Sequence, residues 1–354
     1  MTSLMQALLF NDTSYEQHHG SQLVVRQIYR LAAAAGISIS RACPMRYDWQ
    51  ADERLKADIR QADLCLINGE GTMHDDARQA LRLGELAGYC KNHGVPCFLI
   101  NSVWQRNDRL TELARDFSAI YVRDRLSAQE LERAGIMAQV VPDLTLSLDD
   151  LPESGPRLGG LVNGSVFAER TWEAWQAARN TGVEYLSIKA PPILQVGKGF
   201  PSYVLKSLAR RIKAELKCFA SRVAEVPERP GERALTHLRW RHATRTLEGF
   251  LRRLGHAEWV VTGRFHCVTL CLLMRTPFVA VASNTHKIES LLQEAGVQPR
   301  LAGSFAEALE RAPRWPFSPE EKLALEAFLQ RSREQAQEMF SQIARHCSHR
   351  ESRC

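Results

Sequence analysis

Short apolar runs alternate with amphipathic stretches through the first 150 residues, the pattern of βα units around a parallel sheet. Apolar runs at 7–10, 64–67, 95–100, 119–122 and 139–141 predict strands, and helical spacing at 22–35, 77–92 and 127–134 predicts the helices between them. Gly36, Gly94 and Gly135 each follow such a helix, where a left-handed C-terminal cap is expected. The cluster Leu151-Pro152-Glu153-Ser154-Gly155-Pro156 then reads as a linker. The rhythm resumes with 158–162, a helix from about Glu169, and 185–188. It breaks off between 191 and 233, then returns with 258–261, a helix through Cys267, 278–281 and a helix from about His286. The stretch 319–344 reads as one or two helices.

The expected fold class is therefore α/β, with two Rossmann-like domains in a GT-B-like arrangement. Residues 1–152 form the first domain, 156–312 the second, and 318–346 a closing helical segment. The length of 354 residues suits two cores, and 45% apolar with 24% charged residues is a soluble globular composition. No apolar run reaches 18 residues, and the N-terminus lacks a basic region before its first apolar stretch. A cytoplasmic protein is expected. Nine cysteines are scattered without a Cys-x-x-Cys pair, which suggests reduced, buried thiols. Cys267 and Cys271 stand one helical turn apart but lack a second pair, so core packing is expected of them and metal binding is not.

In such sheets ligands bind beyond the carboxyl ends of the strands, so the residues following each strand carry the candidate chemistry. After 64–67 comes Asn68-Gly69-Glu70-Gly71-Thr72-Met73-His74, where Gly69 and Gly71 allow close backbone approach to an anion. The alternative is an ordinary capped turn. After 119–122 come Arg123, suited to gripping a carboxylate or phosphate, and Asp124, placed as a helix N-cap. Asp143 follows the next run and either orients a substrate hydroxyl or closes a turn. The most informative stretch delivers Gly263, Arg264 and His266 from a strand to the opening of a very apolar helix. A histidine there, kept neutral by the helix N-terminus, suits proton transfer. Lys287 adds a cation at the following turn.

These segments resemble the polysaccharide pyruvyl transferase family. Arg264-Phe265-His266, Pro277 and His286-Lys287 stand at the family's spacing, with Phe265 where leucine is usual. Val122-Arg123-Asp124-Arg125-Leu126-Ser127 matches another of its motifs, while Pro142-Asp143-Leu144 matches a third only in part. The resemblance covers roughly 1–150 and 250–295. It implies a transferase moving pyruvate from phosphoenolpyruvate to a sugar of a cell-surface polysaccharide, or of its lipid-linked precursor, as a ketal. Arg123, His266 and Lys287 would be the essential residues, with Arg264, Gly69, Glu70, Gly71 and Asp143 around the donor. No cofactor or metal is required. Glu70 and His74 keep a rival open: a GT-B-like glycosyltransferase using a nucleotide-activated sugar, such as a CMP-linked keto-acid sugar. A non-catalytic sugar-binding protein on the same fold is the third reading.

The net charge is +6, and part of it is concentrated. Lys206, Arg210, Arg211, Lys213, Lys217 and Arg222 lie with one acid, Glu215, on a stretch whose Leu205, Leu208, Ile212, Leu216, Phe219 and Val223 recur at helical spacing. Such a helix either lies on anionic lipid, at the inner face of a membrane, or packs its apolar face on the protein. Nucleic acid is not expected, since no recognised motif accompanies the charge.

Overall fold

The computed structural model describes residues 4–152, 155–191, 201–224 and 232–351. Within them the strands form two separate sheets whose neighbours all pair in parallel. The first holds β1 (Met5–Asp12), β2 (Ile37–Pro44), β3 (Leu64–Asn68), β4 (Cys97–Ser102), β5 (Ala119–Val122) and β6 (Gln139–Val140), in the order β2-β1-β3-β4-β5-β6. The second holds β7 (Gly160–Ser165), β8 (Glu184–Tyr185), β9 (Trp259–Gly263), β10 (Phe278–Val281) and β11 (Leu301–Ala302), in the order β11-β10-β9-β7-β8.

Helices α1 (His19–Ala34), α2 (Glu53–Gln61), α3 (Arg78–Asn92), α4 (Asp108–Ala114) and α5 (Arg125–Arg133) alternate with the strands of the first sheet. The second half carries α6 (Ala168–Thr181), α7 (Pro201–Val223), α8 (Glu232–Arg241), α9 (Leu247–Gly255), α10 (Phe265–Leu273), α11 (Lys287–Glu294) and α12 (Phe305–Arg311). One long helix, α13 (Pro319–Glu351), ends the described chain. The fold is α/β and GT-B-like.

Continuous apolar runs became central strands because both faces of a parallel sheet are covered. The edge strand β2 escapes that rule: its Ile-Ser-Ile-Ser sequence alternates, with Ile37 and Ile39 buried and Ser40 exposed. Of the apolar run at 185–188 only Tyr185 lies in β8, because the chain beyond it leaves the sheet. Ser187 bridges Ala243, still in the second half, and Lys189 then bridges His18 of the first. Gly36, Gly94 and Gly135 do adopt left-handed φ values of 78°, 73° and 70° after their helices.

α13 joins the two halves. Its Leu325, Phe328 and Leu329 pack into the core beneath the second sheet. Further along, Ala336, Met339, Phe340 and Ile343 pack with Leu9, Ile28 and Leu66 of the first. Buried Arg300 fixes the start of that helix through Glu321 at 2.6 Å and the Phe278, Trp315 and Pro316 carbonyls. Eight cysteines are buried free thiols, Cys267 and Cys271 among them, and Cys354 lies outside the described residues. No described helix is long and apolar enough to cross a membrane.

The strand orders locate the ligand site. The chain reverses its winding between β1 and β3 in the first sheet and between β7 and β9 in the second. Ligands of open α/β sheets bind at such switch points, beyond the carboxyl strand ends. Loops beyond the two switch points meet: His266, after β9, lies 3.5 Å from Glu70, after β3.

Candidate active site

His266 stands in the first turn of α10, two residues after the N-cap Arg264, and is buried with 7% of its surface exposed. Its Nε2 lies 3.5 Å from Oε1 of Glu70 and 3.8 Å from Oδ2 of Asp143, yet makes no hydrogen bond. Burial lowers its pKa from the ordinary value, and the Glu70 and Asp143 carboxylates oppose that shift. Glycine at position 20, in the first turn of α1, makes this approach possible. A Cβ there would fall 2.3 Å from Cβ of His266 and 2.4 Å from its Cγ. The ring therefore lies against the start of α1 while itself starting α10.

Glu70 is held from the first half. Thr13 donates to its Oε2 at 2.5 Å and Ser21 to its Oε1 at 2.8 Å, while Asn68 accepts its backbone amide at 3.2 Å. Asn11, in a left-handed conformation (φ 60°), ties the end of β1 to the Asn68 carbonyl and so fixes the turn that carries Glu70. The two glycines of this turn serve the chain itself. Gly69 gives its amide to the Ile100 carbonyl, and a Cβ would fall 2.5 Å from Ser102. The expectation that its amide faces a ligand is thus corrected. Gly71 supplies a left-handed turn with φ 62° and faces open space. His74 does not join Glu70; it pairs with Asp75 at 2.6 Å, beside Arg106.

Arg123 and Asp143 are brought into the cleft in a different role from the one expected. Their ion pair, at 2.7 Å, is almost wholly buried. Asp143 also caps the short turn Leu144–Ser147, accepting from the Thr145 amide and hydroxyl at 3.0 and 2.6 Å. The Arg123 guanidinium lies 4.6 Å over the Phe265 ring, which explains an aromatic residue at that position, and its Nε is unpartnered. Arg123 is thus engaged by Asp143 before any ligand arrives. Asp124 caps α5 as expected, accepting from the Ser127 amide, and also meets His286 of the second half at 3.0 Å.

Lys287 and Arg264 remain without a described carboxylate in ion-pair range. Lys287, half-buried, donates to Asn284 at 2.8 Å, and burial together with Arg123 and Arg264 brings its pKa to about 7. Arg264 is brought to about 10 by burial and by Arg239 of α8. Lys189 sits at about 8 through burial and the same two arginines, partly offset by Glu16. These groups form one cationic cluster. The sequence reading missed Lys189, Arg239, Glu16, His18 and Gly20. Lys189 and the Glu16–Gly20 segment follow β8 and β1, so the strand-end rule could have found them. Arg239 lies in a helix without a motif and gave no signal.

His18 caps α1 through Nδ1, which accepts from the Ser21 amide at 3.3 Å, and its ring meets His266 edge-on at 5.4 Å. Burial, then His266 and Arg264, hold it well below the usual imidazole range, so it is neutral. His19 bridges to Thr244 of the second half at 2.7 Å and stacks on Phe250. Thr145 to Thr269 at 3.0 Å and Gln22 to the Pro191 carbonyl at 2.8 Å complete a polar seam between the halves.

An α/β protein with a buried histidine, a hydrogen-bonded carboxylate and a group of cations where the loops of its two sheets meet has the parts of a group transferase. The model of the polysaccharide pyruvyl transferase family matches residues 18–285, and the chain belongs to that family. The matched region opens at His18 and ends just before Lys287. No curated protein matches the chain significantly. Among solved structures, it is similar to an uncharacterized protein from Klebsiella pneumoniae, at 9% identity and TM-score 0.48, over 85% of this chain and 93% of that one. A UDP-glucosyltransferase from Polygonum tinctorium is similar at 8% identity and TM-score 0.46, over 98% and 100%. MurG from Acinetobacter baumannii is similar at 11% identity and TM-score 0.41, over 97% and 95%. The protein is a transferase that modifies polysaccharide.

Proposed function

We propose that this cleft transfers the pyruvyl group of phosphoenolpyruvate to two hydroxyls of a cell-surface polysaccharide, or of its lipid-linked precursor, in the cytoplasm. The product is a cyclic ketal, with phosphate released. One observation carries the reading: His266 Nε2 is buried and unpartnered, 3.5 Å from Glu70, within electrostatic range of the uncompensated Lys287. An unsatisfied polar atom in such a place is ready for a substrate proton.

Arg264 and Lys287 would hold the donor's phosphate and carboxylate, with Lys189 at the edge of the same cluster. The first sugar hydroxyl adds to C2 of the donor and gives its proton to His266 Nε2. That proton, passed on from the imidazolium to C3, turns the methylene into a methyl group and returns His266 to its neutral form. The second hydroxyl then displaces phosphate from C2, which carries away the bonding pair and the second proton. Glu70 stabilises the charged imidazole, while Arg123 and Asp143 fix the floor on which it rests.

Product mass decides the donor. Incubated with acceptor and phosphoenolpyruvate, the enzyme should add one small three-carbon acid and release phosphate. Lys189, Arg239 and Arg264 extend the cationic surface further than a small anion needs, which favours a nucleotide-sugar donor as the second reading. Stabilisation against heat by CMP or UDP, with none from phosphoenolpyruvate, would select that reading.

A further inference from the structure

The basic stretch of the sequence forms α7, and among the described residues its apolar face packs on nothing. Leu205, Leu208, Ile212, Leu216, Phe219 and Val223 are all exposed, Leu216 to 63% and Phe219 to 62%. At 3.6 residues per turn these six fall in one stripe. The face that does pack lies on the opposite side of the helix and is made of small residues. Ala214 and Cys218 form a separate small core with Trp240 and Ala243, and Ser221 is buried beside them. Folding alone therefore leaves an apolar stripe pointing away from the molecule, which a soluble surface does not ordinarily carry.

Charge borders the stripe on both sides. Lys206, Arg210, Lys213 and Lys217 follow one flank of the helix, and Arg211 and Arg222 the other, against the single acid Glu215. The cationic border continues past the end of α7. A hollow there is lined by Trp175, Arg179, Arg222, Val223, Arg241 and His242, so the last residue of the stripe opens onto three arginines. An apolar ridge between rows of lysine and arginine is the cross-section of a helix lying in the headgroup region of an anionic bilayer. A second copy of this chain is a poorer occupant, since pairing two such ridges would bring their basic flanks together.

We propose that the outer face of α7 docks the enzyme on an anionic lipid surface, with the stripe 205–223 entering the headgroup layer and the flanking cations on lipid phosphates. Lys217 lies within electrostatic range of Lys189 and so of the catalytic cluster, which places the bilayer beside the cleft. A lipid-linked saccharide then reaches the cleft without leaving the membrane. The docking surface does not depend on which donor the cleft uses.

Vesicle sedimentation tests this directly with the full chain. The protein should bind phosphatidylglycerol–phosphatidylcholine vesicles, bind pure phosphatidylcholine weakly, and lose binding as salt rises. The triple variant Ile212→Ser, Leu216→Ser, Phe219→Ser should abolish binding, while its thermal unfolding and its donor-induced stabilisation stay as in the wild type. The variant Arg210→Gln, Lys213→Gln, Lys217→Gln should bind at least about tenfold more weakly. Absence of wild-type binding, or equal binding by the serine variant, would overturn the proposal. So would a wild-type dimer that the serine variant dissociates, which would make the stripe an interface between copies. Unchanged vesicle binding by a catalytically dead His266→Ala separates failure of this proposal from failure of the catalytic one.

Discussion

The two sheets contribute opposite charge to the cleft. The first half brings the carboxylates Glu16, Glu70 and Asp143, and its Arg123 is already neutralised by Asp143. The second half brings Lys189, Arg239, Arg264 and Lys287, none with a described ion-pair partner. Gathering partly buried cations without carboxylates is costly, and an anion that completes them would relieve that cost. Under the proposed function the second half would capture an anionic donor, and the first half would position the carboxylate that manages protons. His266 belongs to the second half in sequence and to the first in its contacts.

That division can be broken at His266 with the largest effect. His266→Ala should lower kcat by about 10²–10⁴-fold with an unchanged unfolding midpoint. Near-normal turnover would reduce His266 to a packing residue and end the assignment. Gly20→Ala comes next. A methyl 2.3 Å from the His266 Cβ forces the ring away from Glu70, and a shift of that kind costs about 10²-fold in rate. Because alanine favours helix over glycine, the expected signature is lost turnover in a protein that still folds. Full activity in this variant would show that the ring has room to move.

The donor side should respond in KM and in pH. Free Lys287 has a pKa of about 7, and a bound anion would restore its proton. Above pH 7 binding must then take up a proton, so donor affinity should fall by up to about tenfold per pH unit, and stay level below pH 7. Lys287→Arg should flatten that profile, and Lys287→Met should raise the donor KM at neutral pH. A wild-type KM independent of pH between 6 and 9 would remove Lys287 from the donor site. The smallest effect is expected on the carboxylate side. Ser21→Ala removes one hydrogen bond to Glu70 and should lower kcat about fivefold with donor KM unchanged. A change in KM alone would mean that Glu70 contacts the donor, and the division between halves would fail.

Much of the architecture could be read from the chain because parallel strands buried on both faces must be continuously apolar. The runs containing Leu66, Leu99, Ile120 and Val279 satisfy that condition locally. β2 and β11 were invisible for the converse reason, one alternating at an edge and the other only two residues long. The strand-end rule reached Glu70, Arg123, Asp143, Arg264, His266 and Lys287 without any coordinates.

Which of those residues is paired and which is free was decided only in three dimensions. Arg123 and Asp143 are twenty positions apart in sequence and satisfy each other, whereas Glu70 and His266, on opposite sheets, do not close a hydrogen bond. α7 shows the same limit. Helical spacing predicted an amphipathic helix, but spacing cannot say which face packs inward, and the small Ala214 and Cys218 face was chosen by its fit to Trp240. A sequence sets which side chains each element presents; the partner surface they meet is set by how the elements dock, through contacts between residues far apart in the chain.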